Sequence, residues 1–249
     1  LDLGGLKDGR FTRRTEGKLP MAKVAFLDEI FNASSAILNV LLTILNERKY
    51  YDDGRAVPVP LKMLFAATNQ IPDHFRMAAL RDRFCIKVES QPVRTQGGDA
   101  FSRLIDAGLR NESWRNARLQ PWRADVASLD DFLLAHETIL TQMGQIRTDP
   151  YEETETTDRD RFMPREVQAV FQNLVETLAR EYRIFISDRK VVKLYKVLRA
   201  KAWLERNGEI RRQDLGLLAY LGDTVEQLTV LRQKVPEYLG LDEIVPAAK

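Results

Sequence analysis

Two short apolar runs, each delivering polar side chains at its carboxyl end, constrain this chain more than any other feature. Val24-Ala25-Phe26-Leu27 runs into Asp28-Glu29, and Leu64-Phe65-Ala66-Ala67 runs into Thr68-Asn69. Both are too short for a helix and have polar flanks, which predicts fully buried strands over Val24–Leu27 and Leu61–Ala67. Between them a helix is expected from about Ala36 to Asn46, capped by Ser34 or Ser35. Its apolar side would be Ile37, Leu38, Leu41, Leu42 and Leu45. Asp53-Gly54, with Tyr50-Tyr51 before it and Val57 after it, predicts a hairpin. Pro58 and Pro60 restrict the second hairpin strand. Strand, helix, hairpin, strand is an α/β order.

If the two runs pair as parallel neighbours, Asp28, Glu29 and Asn69 share the sheet edge where ligands bind in such folds. ATP hydrolysis needs this set. Asp28 would hold the Mg²⁺ shell, Glu29 would polarise a water, and Asn69 would position that water or the γ-phosphate. Each residue alone has a plainer reading, as a strand leaving into solvent or as turn chemistry. Ala79-Leu80-Arg81-Asp82-Arg83-Phe84 adds candidate cations. Arg83, or alternatively Arg81, could reach a neighbouring subunit's nucleotide as an arginine finger. The competing reading of Arg83 is an ion pair with Asp82 or a helix-end charge.

Arg189 opens a predicted helix after the apolar, strand-like run ending at Ile186, with Ser187 or Asp188 as cap. A basic residue in a first turn opposes the helix dipole; a bound phosphate would give it a reason to be there, and the plainer reading is a solvated basic turn. Arg13-Arg14 could line a pore or lie on a solvated face. Tyr50 and Tyr51 could grip a substrate or pack beneath the hairpin.

Composition excludes several alternatives. Thirty-eight basic against 36 acidic residues give a net charge of +2, so there is no bulk electrostatic case for nucleic acid or membrane binding. No apolar run reaches the ~18 residues that suggest a membrane span. Cys85 is the only cysteine and is expected to be a small buried hydrophobe. With only His74 and His136 beside it, no zinc spacing exists. A reducing, cytoplasmic setting fits.

After Phe84-Cys85-Ile86-Lys87-Val88 the texture changes. Gln91–Gly98 reads as a connector, and a boundary is expected near Val88–Asp99. Everything from about Phe101 reads as helix: Phe101–Leu109, Leu129–Gln145, Pro164–Glu181, Asp188–Arg206, Arg211–Tyr220 and Thr224–Tyr238. The acid- and Thr-rich Asp149–Arg161 reads as an exposed loop.

The strings Arg14-Thr15-Glu16-Gly17-Lys18-Leu19-Pro20, Val24–Phe31, Ala36-Ile37-Leu38-Asn39 and Leu45-Asn46-Glu47-Arg48 resemble the MoxR family of AAA+ ATPases, and within it the RavA type. Ser187-Asp188-Arg189, Leu198-Arg199-Ala200 and Ala202-Trp203-Leu204 resemble RavA-type lids. The resemblance implies the C-terminal part of an AAA+ P-loop ATPase core, a parallel sheet with helices and a β-hairpin insertion, followed by an all-helical lid. The implied domains are a partial core over 1–90, a connector and helical insertion over 91–163, and the lid over 164–249.

By that resemblance Asp28-Glu29 match the Walker B acids, Asn69 matches sensor 1, Arg83 the arginine finger and Arg189 the sensor 2 arginine. The hairpin at Tyr50–Val57 matches the pre-sensor 1 insertion. The cofactors implied are ATP and Mg²⁺. The assembly implied is a homo-oligomeric ring, a hexamer, that remodels or matures a protein complex with a von Willebrand factor A domain partner.

No Gly-x-x-x-x-Gly-Lys-Ser/Thr occurs in these 249 residues. The family's P-loop is expected upstream of Leu1, and these residues alone are expected neither to bind ATP well nor to turn it over. Two other readings compete with the motor. One is a nucleotide-independent scaffold that keeps ring interfaces, against which the intact Asp28-Glu29 pair counts. The other is a nucleic-acid motor, against which the near-neutral charge counts.

Overall fold

The structure is a computed structural model that describes residues 15–52, 54–72, 75–90, 92–93, 98–121, 126–144, 162–206 and 208–241. Arg13-Arg14, Asp53, His74 and the predicted loop up to Arg161 lie outside the described residues. The chain divides into two compact units. One comprises Leu1–Lys87 with Leu221–Leu231, and the other Val88–Tyr220 with Arg232–Lys249.

In the first unit, strand β1 (Val24–Leu27) is followed by a short 3-10 turn (Ile30–Asn32) and helix α1 (Ser35–Glu47). Strands β2 (Lys49–Asp52) and β3 (Arg55–Pro58) form the expected antiparallel hairpin, with Tyr50 opposite Val57 and Tyr51 opposite Ala56. Gly54 takes φ +74°, a conformation glycine adopts without strain. Strand β4 (Met63–Ala66) then pairs with β1 in parallel, Leu27 opposite Ala66. Helix α2 (Phe75–Arg81) closes the run.

Ser34 is the residue that caps α1, its hydroxyl accepting from the Ile37 N–H at 3.4 Å. Leu38, Leu41 and Ile44 are the buried positions of α1. Spacings of three give one face of a 3.6-residue period. Leu38 and Leu41 join Ile30 and Leu80 in one cluster, while Ile44 joins Tyr50, Val59 and Leu61 in another. Two expectations are corrected here: Ile37 is exposed, and Ile44 is core.

Neither β1 nor β4 is fully buried. Ala25, Leu27, Leu64 and Ala66 face the two clusters. On the other face Phe26 is 66% exposed and Phe65 54%. Among the described residues this sheet has only two strands, and elements of the unit cover one side of it. The apolar runs that predicted full burial therefore alternate between packed and open positions. Cys85 is likewise half-buried rather than buried.

The second unit is helical: α3 (Ala100–Asn116), α4 (Leu129–Gly144), α5 (Arg165–Tyr182), α6 (Asp188–Arg206) and a 3-10 segment, Arg212–Tyr220. Helix α7 (Val225–Leu239) gives its first half to the first unit and its second half to this one. Helix α3 runs seven residues past its expected end at Leu109, since Arg110–Asn116 is polar but contains no helix breaker. The apolar run before α6 forms no strand.

Phe171, Leu174 and Leu178 of α5 and Leu194, Leu198 and Ala202 of α6 are buried, as are Leu215 and Leu218 of the 3-10 segment, which touches both helices. Among the described residues no helix is long and apolar enough to cross a membrane.

Candidate functional site

Backbone pairing brings the two polar strand tips together. The Ala67 N–H donates to the Leu27 carbonyl at 2.9 Å, and the Ile30 N–H donates to the Ala67 carbonyl at 3.3 Å. Parallel register therefore continues one step beyond the strands and sets Asp28-Glu29 beside Thr68-Asn69.

Glu29 sits at φ +49°, ψ +44°, the left-handed region that a non-glycine residue occupies only at a cost. There it ends β1 and starts the 3-10 turn. The Asp28 carboxylate accepts the Glu29 N–H at 3.0 Å, which fixes the turn locally. The Glu29 carboxylate is held from two sides. Asn69 Nδ2 donates to Oε1, and Asn32 Nδ2 donates to Oε2 at 3.2 Å. Thr68 is occupied with its own turn, its hydroxyl donating to the Gln70 carbonyl at 2.7 Å. Asp28, Glu29 and Asn69 are thus brought into one constellation, as their strand positions predict.

The arginines are placed differently. Arg81 is buried, and its guanidinium donates to the Pro72 carbonyl. Arg83 donates from Nε to Asn46 Oδ1 and from Nη1 to Asp82 at 3.1 Å, with its side chain only 11% exposed. The ion pair with Asp82 that competed with the finger reading is formed. Arg189 is exposed in the first turn of α6. Ser187 is the cap of that helix, its hydroxyl accepting from the Lys190 N–H at 3.3 Å.

Two residues of this neighbourhood escaped sequence reasoning. Asn32 lies three residues beyond Glu29, a spacing at which side chains meet across a helical turn. Asn46 gives no local signal, because its bond to Arg83 spans 37 residues.

In the helical unit Asp214 is fully buried. It accepts from Lys201 Nζ at 2.8 Å, from Arg206, and from the Arg211 N–H at 2.8 Å. Burial pushes its carboxyl up, but these three donors outweigh that and hold it below the usual carboxylate range. Arg199 is also buried and lies 3.6 Å over the Phe162 ring, and burial pulls its guanidinium down.

Hard oxygen donors at Asp28 and Glu29 fit Mg²⁺ held through water beside nucleotide phosphates. Among the described residues no group of three or more His, Cys, Asp or Glu could enclose a metal ion.

Acids and an asparagine thus stand at neighbouring parallel strand tips of the first unit, and the second unit is helical. Residues 1–131 match the family described as the MoxR domain in the MoxR-vWA-beta-propeller ternary systems, and residues 166–235 match an AAA lid domain. The chain belongs to the MoxR family of AAA+ ATPases.

An uncharacterized protein of Methanocaldococcus jannaschii is 45% identical over 153 residues, covering 58% of this chain and 40% of that protein. A second from the same organism is 45% identical over 96 residues, covering 38% and 25%. A structural protein of Acidianus two-tailed virus is 39% identical over 88 residues, covering 34% and 14%. The chain therefore spans 40% or less of the length of these curated relatives.

Proposed function

We propose that this chain is part of a ring-forming ATPase motor that remodels or matures a protein complex together with a von Willebrand factor A domain partner. The observation that carries the reading is the Asn69–Glu29 hydrogen bond between neighbouring strand tips. An acid whose only task was to end a strand in solvent would have no need of a partner 40 residues away. The family description, which names a ternary system with a vWA component, supports the partner. The residue strings Phe26–Arg48 and Ser187–Leu204 support the RavA type.

MgATP, when bound, supplies an electrophilic γ-phosphoryl group and the charge that neutralises it. Glu29 orients the attacking water and accepts its proton. Asp28 would hold the metal's water shell, and its bond to the Glu29 N–H keeps the two acids in fixed relation. Asn69, bonded to Glu29 in this structure, would face the γ-phosphate when nucleotide is bound. Arg83 would leave Asp82 and Asn46 to complete a neighbouring subunit's site, and Arg189 would be the lid's phosphate-contacting arginine.

Since no Walker A sequence occurs in these 249 residues, the reading requires a phosphate cradle from chain outside them. The full-length protein should show magnesium-dependent ATP hydrolysis that is lost in Glu29→Gln while ATP binding persists. A turnover rate unaffected by that substitution would refute the assignment.

A further inference from the structure

We infer that Asn32 is a positioning residue for Glu29, fixing the rotation of its carboxylate so that one defined oxygen is presented to the water. The inference rests on the reading of Glu29 given above. Short side chains such as Asp or Asn at an N-cap accept the backbone N–H groups of the turn that follows, whereas the longer glutamate carboxylate reaches past them. Glu29 occupies that position for Ile30–Asn32 but makes no side-chain cap bond. Its two oxygens are instead divided between two amides, Oε1 to Asn69 and Oε2 to Asn32.

The two amides differ in what they stand on. Asn69 follows β4 and belongs to a separate stretch of chain. Asn32 shares a closed turn with Glu29 itself, its N–H donating to the Glu29 carbonyl at 2.9 Å. Glu29 is in turn fixed in the left-handed region with its N–H on Asp28. Main chain and side chain together make a ring in which Asn32 moves with Glu29. When Asn69 turns toward a phosphate, Oε1 is freed and Oε2 stays tethered. A swing of the carboxylate about its last torsion, which is broad and soft for glutamate, then costs the Asn32 bond. Orientation of this kind acts on the chemical step and not on nucleotide affinity.

The test is steady-state ATP hydrolysis by the full-length protein, with ATP binding measured separately, for wild type, Asn32→Ala, Asn32→Asp, Asn32→Gln and Glu29→Gln. Asn32→Ala should lower kcat about tenfold with KM, ATP affinity and unfolding temperature unchanged. Asn32→Asp, which keeps the shape but loses the donor, should fall further. Asn32→Gln, which keeps an amide, should recover part of the rate.

An unchanged or raised kcat in Asn32→Ala, beside an inactive Glu29→Gln, overturns this inference and leaves the role of Glu29 standing. An active Glu29→Gln overturns both. A fall in Asn32→Ala that tracks lost thermal stability, with no recovery in Asn32→Gln, reduces Asn32 to a structural turn residue.

Discussion

Asn69 donates its side-chain amide to Oε1 of Glu29 across 40 residues of sequence, tying the ends of two adjacent parallel strands. The bond places a neutral donor on the acid proposed to activate water, at the edge of the sheet where a γ-phosphate would lie. In the proposed motor, Asn69 would turn from Glu29 to the γ-phosphate and so would couple the acid to the nucleotide state.

Asn69→Ala should therefore retain ATP binding and lose about 10²-fold in hydrolysis, the scale of a lost transition-state donor. Single-turnover hydrolysis together with nucleotide titration separates the two effects. Weaker ATP binding with an unchanged single-turnover rate would assign Asn69 to ground-state binding.

Arg83 is folded against Asp82 and Asn46. If it completes a neighbour's site, Arg83→Ala and Glu29→Gln should each be inactive alone. A mixture of the two should regain part of the rate, because some interfaces then pair an intact Glu29 with an intact Arg83. Failure of mixing to restore turnover, in assemblies shown to exchange subunits, would return Arg83 to its role inside its own subunit.

Gly208 has φ +95°, and an added Cβ would collide with the buried guanidinium of Arg199. Its carbonyl also accepts from that same guanidinium. Gly208→Ala combines backbone strain with displacement of a buried cation from Phe162 and should cost about 1–3 kcal/mol. Denaturant unfolding of the full-length protein, followed in its helical signal, reads this directly.

Asp214 gives the helical unit an acid-sensitive anchor. Its folded carboxyl titrates below the unfolded one, so its contribution is fully present above the unfolded value of about 3.9. It is lost as pH falls from there through the folded value. Asp214→Asn should destabilise by about 3 kcal/mol at neutral pH and lose less stability than wild type between about pH 4 and acid unfolding. Denaturation midpoints measured at descending pH test both signs.

Much of this was legible because local chemistry and tertiary structure agree. The runs Val24–Leu27 and Leu64–Ala66 lie in neighbouring strands, the expected hairpin forms with Gly54 in its turn, and α6 begins and ends where its sequence says. The open face carrying Phe26 and Phe65 was not legible, because an apolar run reports what a strand can bury and not what covers it. The segment Arg212–Tyr220 was expected as an ordinary helix but is wound as 3-10. Its Asp214 is buried near the amino end, bonded to Lys201, Arg206 and the Arg211 N–H. Asn46 and Asp214 share the same difficulty, since their partners are set by packing that no local pattern encodes. Asn32 was within reach, three residues from an acid already singled out.

The most direct measurement is magnesium-dependent ATP turnover by the full-length protein beside its Glu29→Gln variant, with nucleotide binding followed in both. The account predicts turnover in the first, ATP binding in both, and no turnover in the variant. Equal turnover in the two, or no nucleotide binding by the full-length protein, would contradict it and leave a scaffold with AAA+ architecture as the better description.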